Sequence, residues 1–464
     1  MNYTQKTMSK IDEIRTFIKE EALKFGANNE KDYVERNNTG NDALSQGGAY
    51  FGFISPDEDN SGPYHDFSLT ILPDKDDKPW LVCLGIGSLG FKNDYELASF
   101  PGVRRLFFSL ISSKGYCKTS FIDIENGLPR SFLAKLPHLK NTLKTYSKVL
   151  PACEIVEDPT SVEGKKIISA FVAGYAELRK WPSNNEHRKA KTTAISAVKK
   201  EESPDDEKDV LNLILSRKYV VLEGAPGTGK TMLGKKIGEK LNAEIFFTQF
   251  HAETNYSDFI YGIKPNLNQS NLNYQEQKGI FLQALQFAIS NPFKNVLLII
   301  DELNRANLSN ILGPIFYLFE YQMDDNSVNI EICNGFSVKK IPKNFYVIGT
   351  MNTADRSLAV VDFALRRRFA WYTLKPRILE TKAFFKDDFL TFQEIFYWYA
   401  SSEELNLQPG HAYFIANSKE EMTQRIRYEL FPLIREYLLE GIMLKAKEDF
   451  NEYFSDRIKD TLFK

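Results

Sequence analysis

The stretch Gly224-Ala225-Pro226-Gly227-Thr228-Gly229-Lys230-Thr231 decides the fold of the second half of the chain. It follows an apolar run, Tyr219-Val-Val-Leu222, and precedes a run from Met232 to Leu241 that is compatible with a helix. A buried strand, a glycine-rich turn and a helix in this order form the context of a P-loop. Because glycine has no Cβ, the backbone can close around phosphate oxygens at the positive end of the helix. The stretch therefore predicts a binding loop for a nucleoside triphosphate.

Two side chains of this loop have predicted roles. Lys230 is expected to reach the β- and γ-phosphates, and the Thr231 hydroxyl is expected to hold Mg²⁺. The alternative is an ordinary glycine-rich turn between a strand and a helix, since the pattern fixes few residues and occurs by chance in long chains. The flanking strand and the motifs further along the chain favour the nucleotide site.

Two acids end a second apolar run, Val296-Leu-Leu-Ile-Ile-Asp-Glu302. Such a run is typical of a parallel strand that is buried on both faces, and ligands bind at the carboxyl ends of these strands. Asp301 is therefore predicted to belong to the Mg²⁺ shell, and Glu302 to orient or polarise the attacking water. The alternative is an acidic pair on the surface after a strand, which the P-loop upstream disfavours.

A third apolar run, Phe345–Met351, ends in Asn352. The Asn352 amide is a candidate for a position near the γ-phosphate, and a cap of the following turn is an equal alternative. Three arginines then occur within Leu365-Arg-Arg-Arg-Phe369. They form either a surface cluster or residues that reach the nucleotide of a neighbouring subunit, where an arginine neutralises charge on the transferred phosphate. The second interpretation requires an oligomer.

Composition limits the class of protein. The chain has 464 residues, a net charge of −2 and a hydrophobic fraction of 43%, which predicts two or three domains with substantial cores and no uniformly basic coat. Its scattered cysteines, Cys83, Cys117, Cys153 and Cys333, predict neither a zinc site nor a disulfide framework and suit a reducing cytoplasm. No apolar run is long enough to span a membrane, and Met1–Lys6 leads into a charged amphipathic stretch rather than a signal peptide.

Residues 1–182 are predicted to form one α+β domain without a catalytic motif. An amphipathic helix over residues 8–25 precedes strand-like runs and further helical patterns. The strand-like runs are Ala49–Ile54, Phe67–Leu72 and Trp80–Ile86, and the helical patterns are Val103–Ser113, Pro137–Lys148 and Glu163–Lys180. Residues 183–209 are charged and lack aromatic side chains, so we expect them to be a linker.

The charge of this domain is uneven. Residues 101–150 carry nine basic side chains against Asp123 and Glu125, whereas residues 51–100 carry three lysines against nine acids. The basic side chains are Arg104, Arg105, Lys114, Lys118, Arg130, Lys135, Lys140, Lys144 and Lys148. The aromatic residues interspersed with them are Phe107, Phe108, Tyr116 and Phe121. This segment is predicted as a surface that faces phosphates, with a solvated helix face over core aromatics as an equal alternative.

Several stretches of the second half belong together as family motifs. They are Gln249-Phe-His251, Asp258-Phe-Ile260, Gly279-Ile-Phe281, Asp301-Glu-Leu-Asn-Arg-Ala-Asn307, Thr350-Met-Asn-Thr-Ala-Asp-Arg-Ser-Leu-Ala-Val-Val-Asp362, Ala364-Leu-Arg-Arg-Arg-Phe369 and Gly410-His-Ala-Tyr-Phe414. They resemble the McrB family, the AAA+ GTPase subunits of modification-dependent restriction systems. Met351–Asp355 is the most specific of them, since ordinary AAA+ ATPases do not carry it. The resemblance runs from about residue 210 to 440 and does not include the first 182 residues.

The resemblance implies an α/β P-loop NTPase fold, with an AAA+ large subdomain over residues 210–372 that contains a parallel sheet and a small helical lid over residues 373–464. It implies that Asn352 is the sensor that positions the catalytic water. It also implies that Asn352-Thr-Ala-Asp355 replaces the base-reading element of other GTPases, which places Asp355 beside the nucleotide. The site on the neighbouring subunit would be completed by Arg356, Asp362, Arg367 and Arg368.

Proteins of this family form hexamers, use Mg²⁺ with GTP, and are stimulated by a separate McrC-like subunit that carries the nuclease. The first hypothesis is therefore a cytoplasmic hexameric GTPase, with ATP as the other nucleotide, that couples recognition of DNA by residues 1–182 to cleavage by that partner in anti-phage defence. Modified bases are one form that the DNA could take. An ATP-dependent, chaperone-like AAA+ remodeller of proteins is the alternative. A nucleotide sensor without hydrolysis is disfavoured by Lys230, Asp301 and Glu302.

Overall fold

The structure is a computed structural model with two compact units. The first unit comprises Met1–Glu202 with Tyr397–Tyr399, and the second comprises Ser203–Phe396 with Ala400–Lys464. The residues that the structure describes are 3–28, 31–74, 78–118, 126–198, 205–266, 273–320, 329–333, 335–354 and 363–463.

An antiparallel sheet forms the centre of the first unit. Its strands are β1 (Val34–Asn38), β2 (Tyr50–Ile54), β3 (Phe67–Leu72), β4 (Trp80–Ile86), β5 (Tyr116–Cys117) and β6 (Ala152–Val156). Across the sheet their order is β1-β2-β3-β4-β6-β5. The bounds of β3 and β4 agree with the strand-like runs in the sequence, and β2 starts one residue later than its run. Every residue of β4 is buried, because this strand lies inside the sheet and both of its faces are covered.

Helices cover both faces of this sheet. The helices are α1 (Tyr3–Lys24), α2 (Asn41–Ser45), α3 (Tyr95–Ala98), α4 (Pro101–Leu110), α5 (Arg130–Leu133), α6 (Lys140–Tyr146), α7 (Val162–Leu178) and α8 (Asn185–Ser196). Apolar side chains of α1, α4 and α7 pack with Val82 and Leu84 of β4. The alternate residues Leu81 and Cys83 point to the opposite face and pack with side chains of the segment that contains α5 and α6. The first unit is therefore an α+β domain, as predicted.

The helix α8 lies within the range that was predicted as a linker. Asn184 and His187 form a capping box at its start. The ammonium of Lys191 is buried and lies 3.0 Å from the Glu177 carboxylate, and Ala194 belongs to the core of the first unit. Composition indicated a linker because few apolar residues are present, whereas one buried ion pair and small side chains suffice to hold this helix against α7.

A parallel sheet forms the centre of the second unit. The strands are β7 (Tyr219–Gly224), β8 (Glu244–Gln249), β9 (Tyr261–Asn266), β10 (Asn273–Lys278), β11 (Val296–Asp301), β12 (Ile330–Cys333), β13 (Phe336–Val338), β14 (Phe345–Asn352) and β15 (Ala370–Thr373). The sheet has the order β15-β7-β14-β11-β8, and β9–β10 and β12–β13 form separate antiparallel pairs. Because β7, β14 and β11 are neighbours, Gly224, Asn352 and Asp301 lie side by side at the carboxyl edge.

The helices of the second unit are α9 (Asp206–Arg217), α10 (Lys230–Lys240), α11 (Tyr256–Phe259), α12 (Ile280–Ser290), α13 (Leu308–Leu312), α14 (Phe363–Arg368), α15 (Lys386–Tyr399), α16 (Lys419–Arg425), α17 (Phe431–Leu439) and α18 (Lys447–Ile458). The helices α9 and α10 pack on the sheet face that contains Val220 and Leu222, and α12 packs on the face of Tyr219 and Val221. This burial on both faces explains the continuous apolar runs in the sequence. In the described parts of the chain, no helix combines the length and apolarity of a membrane span.

Replacing Asn344 with alanine is expected to lower the free energy of unfolding by about 3 kcal/mol, because one buried and two partly buried carbonyls lose their donor. The Asn344 Nδ2 donates to the carbonyl oxygens of Ala288 (3.1 Å), Asn291 (3.0 Å) and Lys294 (2.8 Å). These bonds tie the end of α12 to the start of β14. Urea unfolding of the variant measures the effect. Asn291→Ala removes a single side-chain bond, to the Phe287 carbonyl, and should cost about 1 kcal/mol. Equal destabilisation by both substitutions would contradict this account.

Candidate functional site

The P-loop joins β7 to α10. Gly227 and Gly229 have φ angles of 79° and 78°, in the left-handed region where a Cβ is strained. Gly229 occupies the N-cap of α10, so the helix begins at Lys230. The Thr228 hydroxyl donates to the Ala225 carbonyl at 2.8 Å, which closes the loop on itself. The predicted strand, glycine turn and helix are therefore all present in the expected order.

The Lys230 side chain is turned into this loop. Only 7% of the residue is exposed, and its Nζ donates to the carbonyl oxygens of Gly224 and Ala225, each at 3.0 Å. The same ammonium donates to Asn352 Oδ1 at 2.7 Å. The carbonyl and amide oxygens satisfy the buried ammonium, and phosphate oxygens of a bound nucleotide can take the place of these partners.

Asp301 is held by two hydroxyl groups. Thr231 Oγ1 donates to Asp301 Oδ1 at 2.7 Å, and Thr350 Oγ1 donates to the same oxygen at 2.6 Å. Thr231 and Asp301 offer oxygen ligands, of which one is a carboxylate. Mg²⁺ is commonly bound by one or two carboxylates, while substrate phosphates and water supply its remaining ligands. Among the described residues, no cluster of three or more His, Cys, Asp or Glu side chains occurs. Thr231 and Asp301 therefore fit the predicted Mg²⁺ shell.

Glu302 follows the last residue of β11 and adopts a left-handed backbone, with φ 56° and ψ 47°. For a residue with a side chain this conformation costs about 1–2 kcal/mol, and such strain is concentrated at functional sites. Asn352 Nδ2 donates to Glu302 Oε1 at 2.6 Å, and Arg305 Nε donates to Oε2 at 3.2 Å. The Glu302 amide donates to Thr350 Oγ1 at 3.2 Å. The turn of the backbone thus directs the carboxylate toward β14.

Asn352 connects the two halves of the site, since its amide bonds Lys230 through Oδ1 and Glu302 through Nδ2. The role of Asn352 as a sensor stays a prediction, as does the alternative of a cap of the following turn, which continues into residues outside the described ones. The groups surround a cleft of about 240 Å³. Its lining residues are Pro226, Gly227, Gly229, Lys230, Thr231, Met232, Asp301, Glu302, Thr350 and Asn352. The arrangement brings a cation, a hydroxyl–carboxylate pair and a second carboxylate to one edge of the sheet.

The predicted arginines have different surroundings. Arg367 exposes 68% of its side chain and lies 2.9 Å from Glu320, whereas Arg368 exposes 11%, lies 2.8 Å from the same carboxylate and packs over the ring of Phe316. Glu320 does not line the cleft described above. Asp355, Arg356 and Asp362, the remaining predicted site residues, lie outside the residues that the structure describes.

Sequence reasoning missed a contact between the P-loop and the segment around His411. The Gly410 amide donates to the Pro226 carbonyl at 3.0 Å, and the Ala412 amide donates to the Gly227 carbonyl at 3.0 Å. A Cβ on Gly410 would lie 2.1 Å from the Gly227 backbone, so this close approach requires glycine. Burial, and secondly the charge of Arg377, lower the pKa of the His411 imidazole, so the ring beside the loop favours its neutral form.

Thr350 is the first residue of the family motif Thr350–Asp362, but the sequence pattern predicted no role for it. It stands two residues before Asn352 on β14, and residues with this spacing point to the same face of a strand. Because Asn352 was already a candidate, the period of the strand was a signal that could have identified Thr350 as a second polar group at the site.

Comparisons with known proteins agree with this geometry. Residues 219–369 match the family of AAA domains of the dynein-related subfamily. The Escherichia coli (strain K12) type IV methyl-directed restriction enzyme EcoKMcrB subunit is 38% identical over 175 residues, which cover 36% of this chain and 37% of that protein. The Bacillus subtilis (strain 168) type II restriction enzyme BsuMI component YdiS is 30% identical over 194 residues, covering 33% of this chain and 56% of that protein.

The matches are partial, since the chain spans 37% and 56% of the lengths of these two relatives. A crystal structure of a Cytophaga hutchinsonii protein matches 54% of this chain and 74% of its own at 16% identity, with a TM-score of 0.27 that adds nothing to the fold described above. The resemblance that the sequence motifs indicated is confirmed by the two curated relatives and by the family match. Residues 219–369 are therefore an AAA domain built on the parallel sheet, and 36% of the chain is similar to the McrB restriction subunit.

Proposed function

We propose that this protein is an oligomeric nucleoside-triphosphate hydrolase, with GTP as its preferred nucleotide, that couples recognition of DNA by residues 1–182 to cleavage by a separate McrC-like nuclease. The observation that carries the hydrolase is the hydrogen-bonded series Lys230–Asn352–Glu302 beside the Thr231–Asp301 pair. The restriction role is supported by the similarity to restriction subunits. The hexamer and the nuclease partner are what the resemblance to the McrB family implies. The preference for GTP follows from the Met351–Asp355 motif.

The residues divide the chemistry among them. The amides of the loop from Gly224 to Thr231 hold the phosphates, and Lys230 supplies a positive charge to the β- and γ-phosphates. Thr231 and Asp301 would hold Mg²⁺, which neutralises charge on the phosphate oxygens when it is bound. Glu302 accepts a proton from the attacking water or orients it.

Asn352 couples nucleotide binding to the position of Glu302, because its side chain contacts both Lys230 and Glu302. In the structure its Oδ1 accepts from Lys230. When the ammonium turns to the phosphates, this oxygen is released and can accept a hydrogen bond from the attacking water, while Nδ2 keeps its bond to Glu302 Oε1. The water would then be held between an amide oxygen and a carboxylate, which is a suitable position for in-line attack.

A hydrolysis assay with GTP and with ATP tests the proposal, with and without the McrC-like partner. We expect GTP turnover that rises when the partner is added, and weaker turnover of ATP. Absence of hydrolysis of both nucleotides under all conditions would refute the hydrolase. Strong preference for ATP, together with no salt-dependent binding of DNA, would instead support a remodeller that acts on proteins.

Lys230→Ala is expected to weaken the binding of GTP about 100-fold or more, because the loss of charge-assisted bonds to two phosphates costs several kcal/mol. Assembly that depends on nucleotide should be lost with it. Isothermal titration with a non-hydrolysable GTP analogue measures the binding. Lys235→Ala is the matched control, since this exposed lysine of α10 packs over the Phe247 ring and should not affect affinity. Unchanged affinity in Lys230→Ala would contradict the proposal that the P-loop binds the nucleotide.

A further inference from the structure

We propose that the helical layer over residues 126–150 of the first unit, called the basic layer below, binds the phosphate backbone of duplex DNA. This inference rests on the proposed function, in which residues 1–182 recognise DNA, and it assigns the surface that makes the contact. The helices α5 and α6 belong to this layer.

The inner side of the basic layer is fixed by apolar packing. Phe132, Leu136 and Leu143 are buried in one cluster with Leu81 and Cys83 of the sheet. Leu139 and Ser147, each four residues from Leu143, are buried as well. Residues at this spacing share one face of a helix, so the residues one step further along the chain point away from the sheet. The orientation of the outer side therefore follows from the core.

The outer side is strongly positive. From Asn126 to Cys153 the sequence contains no aspartate or glutamate. Five basic side chains of the layer are exposed: Arg130, Lys135, Lys140, Lys144 and Lys148. Throughout the described residues, none of the five has a carboxylate within ion-pair distance, although Lys135 also lies over the Phe132 ring. Unneutralised charge of one sign on a rigid surface produces a field that attracts a polyanion.

The structure narrows the basic surface that the sequence predicted. Lys114 lies 3.1 Å from the Glu157 carboxylate, so its charge is compensated. Lys118 is 4% exposed, and its Nζ donates to the Lys148 carbonyl at 2.5 Å. Phe107 is part of the core. Among the described residues, the five basic side chains of the basic layer are exposed and have no carboxylate within ion-pair distance. The buried Lys118 supports their backbone, and Phe121 lies outside the described residues.

The chemistry of the outer side favours a nucleic-acid backbone over a protein. Within the described basic layer, Tyr146 is the single large apolar side chain that is well exposed, at 45%. Protein interfaces need an apolar centre and are depleted in lysine. Lys140 and Lys144 are about 6 Å apart along the helix axis, and one DNA strand presents a phosphate about every 3.4 Å of duplex axis, so the two ammonium groups can contact separate phosphates. Such contacts fix position and are independent of base sequence.

The test uses the full chain and an unmodified duplex, whose binding is measured by fluorescence anisotropy at several salt concentrations. Lys140→Gln, Lys144→Gln and Lys148→Gln are combined in one variant. A control variant combines Lys31→Gln, Lys92→Gln and Lys189→Gln, which are exposed lysines of the same unit outside the basic layer. Both variants lose the same charge, and GTP turnover without DNA should remain unchanged in both.

We expect the basic-layer variant to bind at least about tenfold more weakly at 0.1 M salt, with a salt slope that is smaller by about 0.9 for each phosphate that is no longer neutralised. The control should bind like the unsubstituted protein. A basic-layer variant that equals the control would overturn the assigned surface while DNA recognition stands. No salt-dependent DNA binding by the unsubstituted protein would refute the proposed DNA recognition and this surface together. Equal affinity for poly-glutamate would overturn duplex DNA as the partner.

Discussion

Replacing Arg367 with alanine is expected to lower the rate of nucleotide hydrolysis by about 10³- to 10⁵-fold while nucleotide affinity changes little. Of the two arginines that contact Glu320, Arg367 has the more exposed side chain, at 68% against 11% for Arg368. The side chain of an arginine that completes a neighbouring site must extend away from its own subunit to reach the transferred phosphate. Arg367 can do so when one solvent-exposed ion pair, with Glu320, is broken. Steady-state phosphate release, measured at saturating GTP, gives the rate.

Two comparisons separate this role from a structural one. Arg368→Ala should lower the unfolding temperature instead, because its side chain packs over Phe316 and beside Glu320. Mixing Arg367→Ala with Glu302→Gln subunits, which are expected to retain GTP, should restore part of the activity, since one subunit keeps its Glu302 and the other keeps its arginine. A normal rate in Arg367→Ala, or no recovery on mixing, would remove the shared site from the account.

Glu302→Gln is expected to reduce turnover about 10²- to 10⁴-fold and to leave GTP bound, because the amide cannot accept the proton of the attacking water. Only 17% of the Glu302 side chain is exposed. Because glutamine has the same length and nearly the same shape, we expect the packing around residue 302 to stay the same. Single-turnover hydrolysis, together with the amount of GTP retained after gel filtration, measures both effects.

Glu223→Gln is the matched control for this substitution. Glu223 lies near the end of β7, where its carboxylate accepts from the Thr373 hydroxyl at 2.8 Å, and it does not line the cleft. Its variant should hydrolyse GTP at the normal rate. Similar turnover in Glu302→Gln and the unsubstituted protein would show that the proton is accepted elsewhere.

The parts of the site that could be predicted from sequence are those that directly follow an apolar run, because the end of the run marks the end of a buried strand. β7 and β11 are buried on both faces, so each apolar run ends within two residues of the carboxyl end of its strand. The P-loop and Asp301 could therefore be predicted to lie at the carboxyl edge of the sheet. The order of the strands then places these ends together. The same reasoning identified β3 and β4 of the first unit by their bounds.

Features that depend on distant contacts could not be predicted. The left-handed backbone of Glu302 has no local signature, because the surrounding structure and not its own preference holds it there. The difference between Arg367 and Arg368 arises from packing against Phe316, a residue far away in sequence. Helix α8 was interpreted as a linker because its composition is polar, and its burial of Lys191 beside Glu177 is a tertiary contact.

The bonds from Gly410 and Ala412 to the carbonyls of Pro226 and Gly227 have a mechanical consequence. Hydrogen bonds of 3.0 Å tolerate displacements of only a few tenths of an ångström before they weaken. A larger shift of the loop on capture or release of phosphate must therefore either carry the C-terminal helical segment with it or break both bonds at once. Under the proposed function, capture of one phosphate group would therefore displace residues well beyond the loop that binds it.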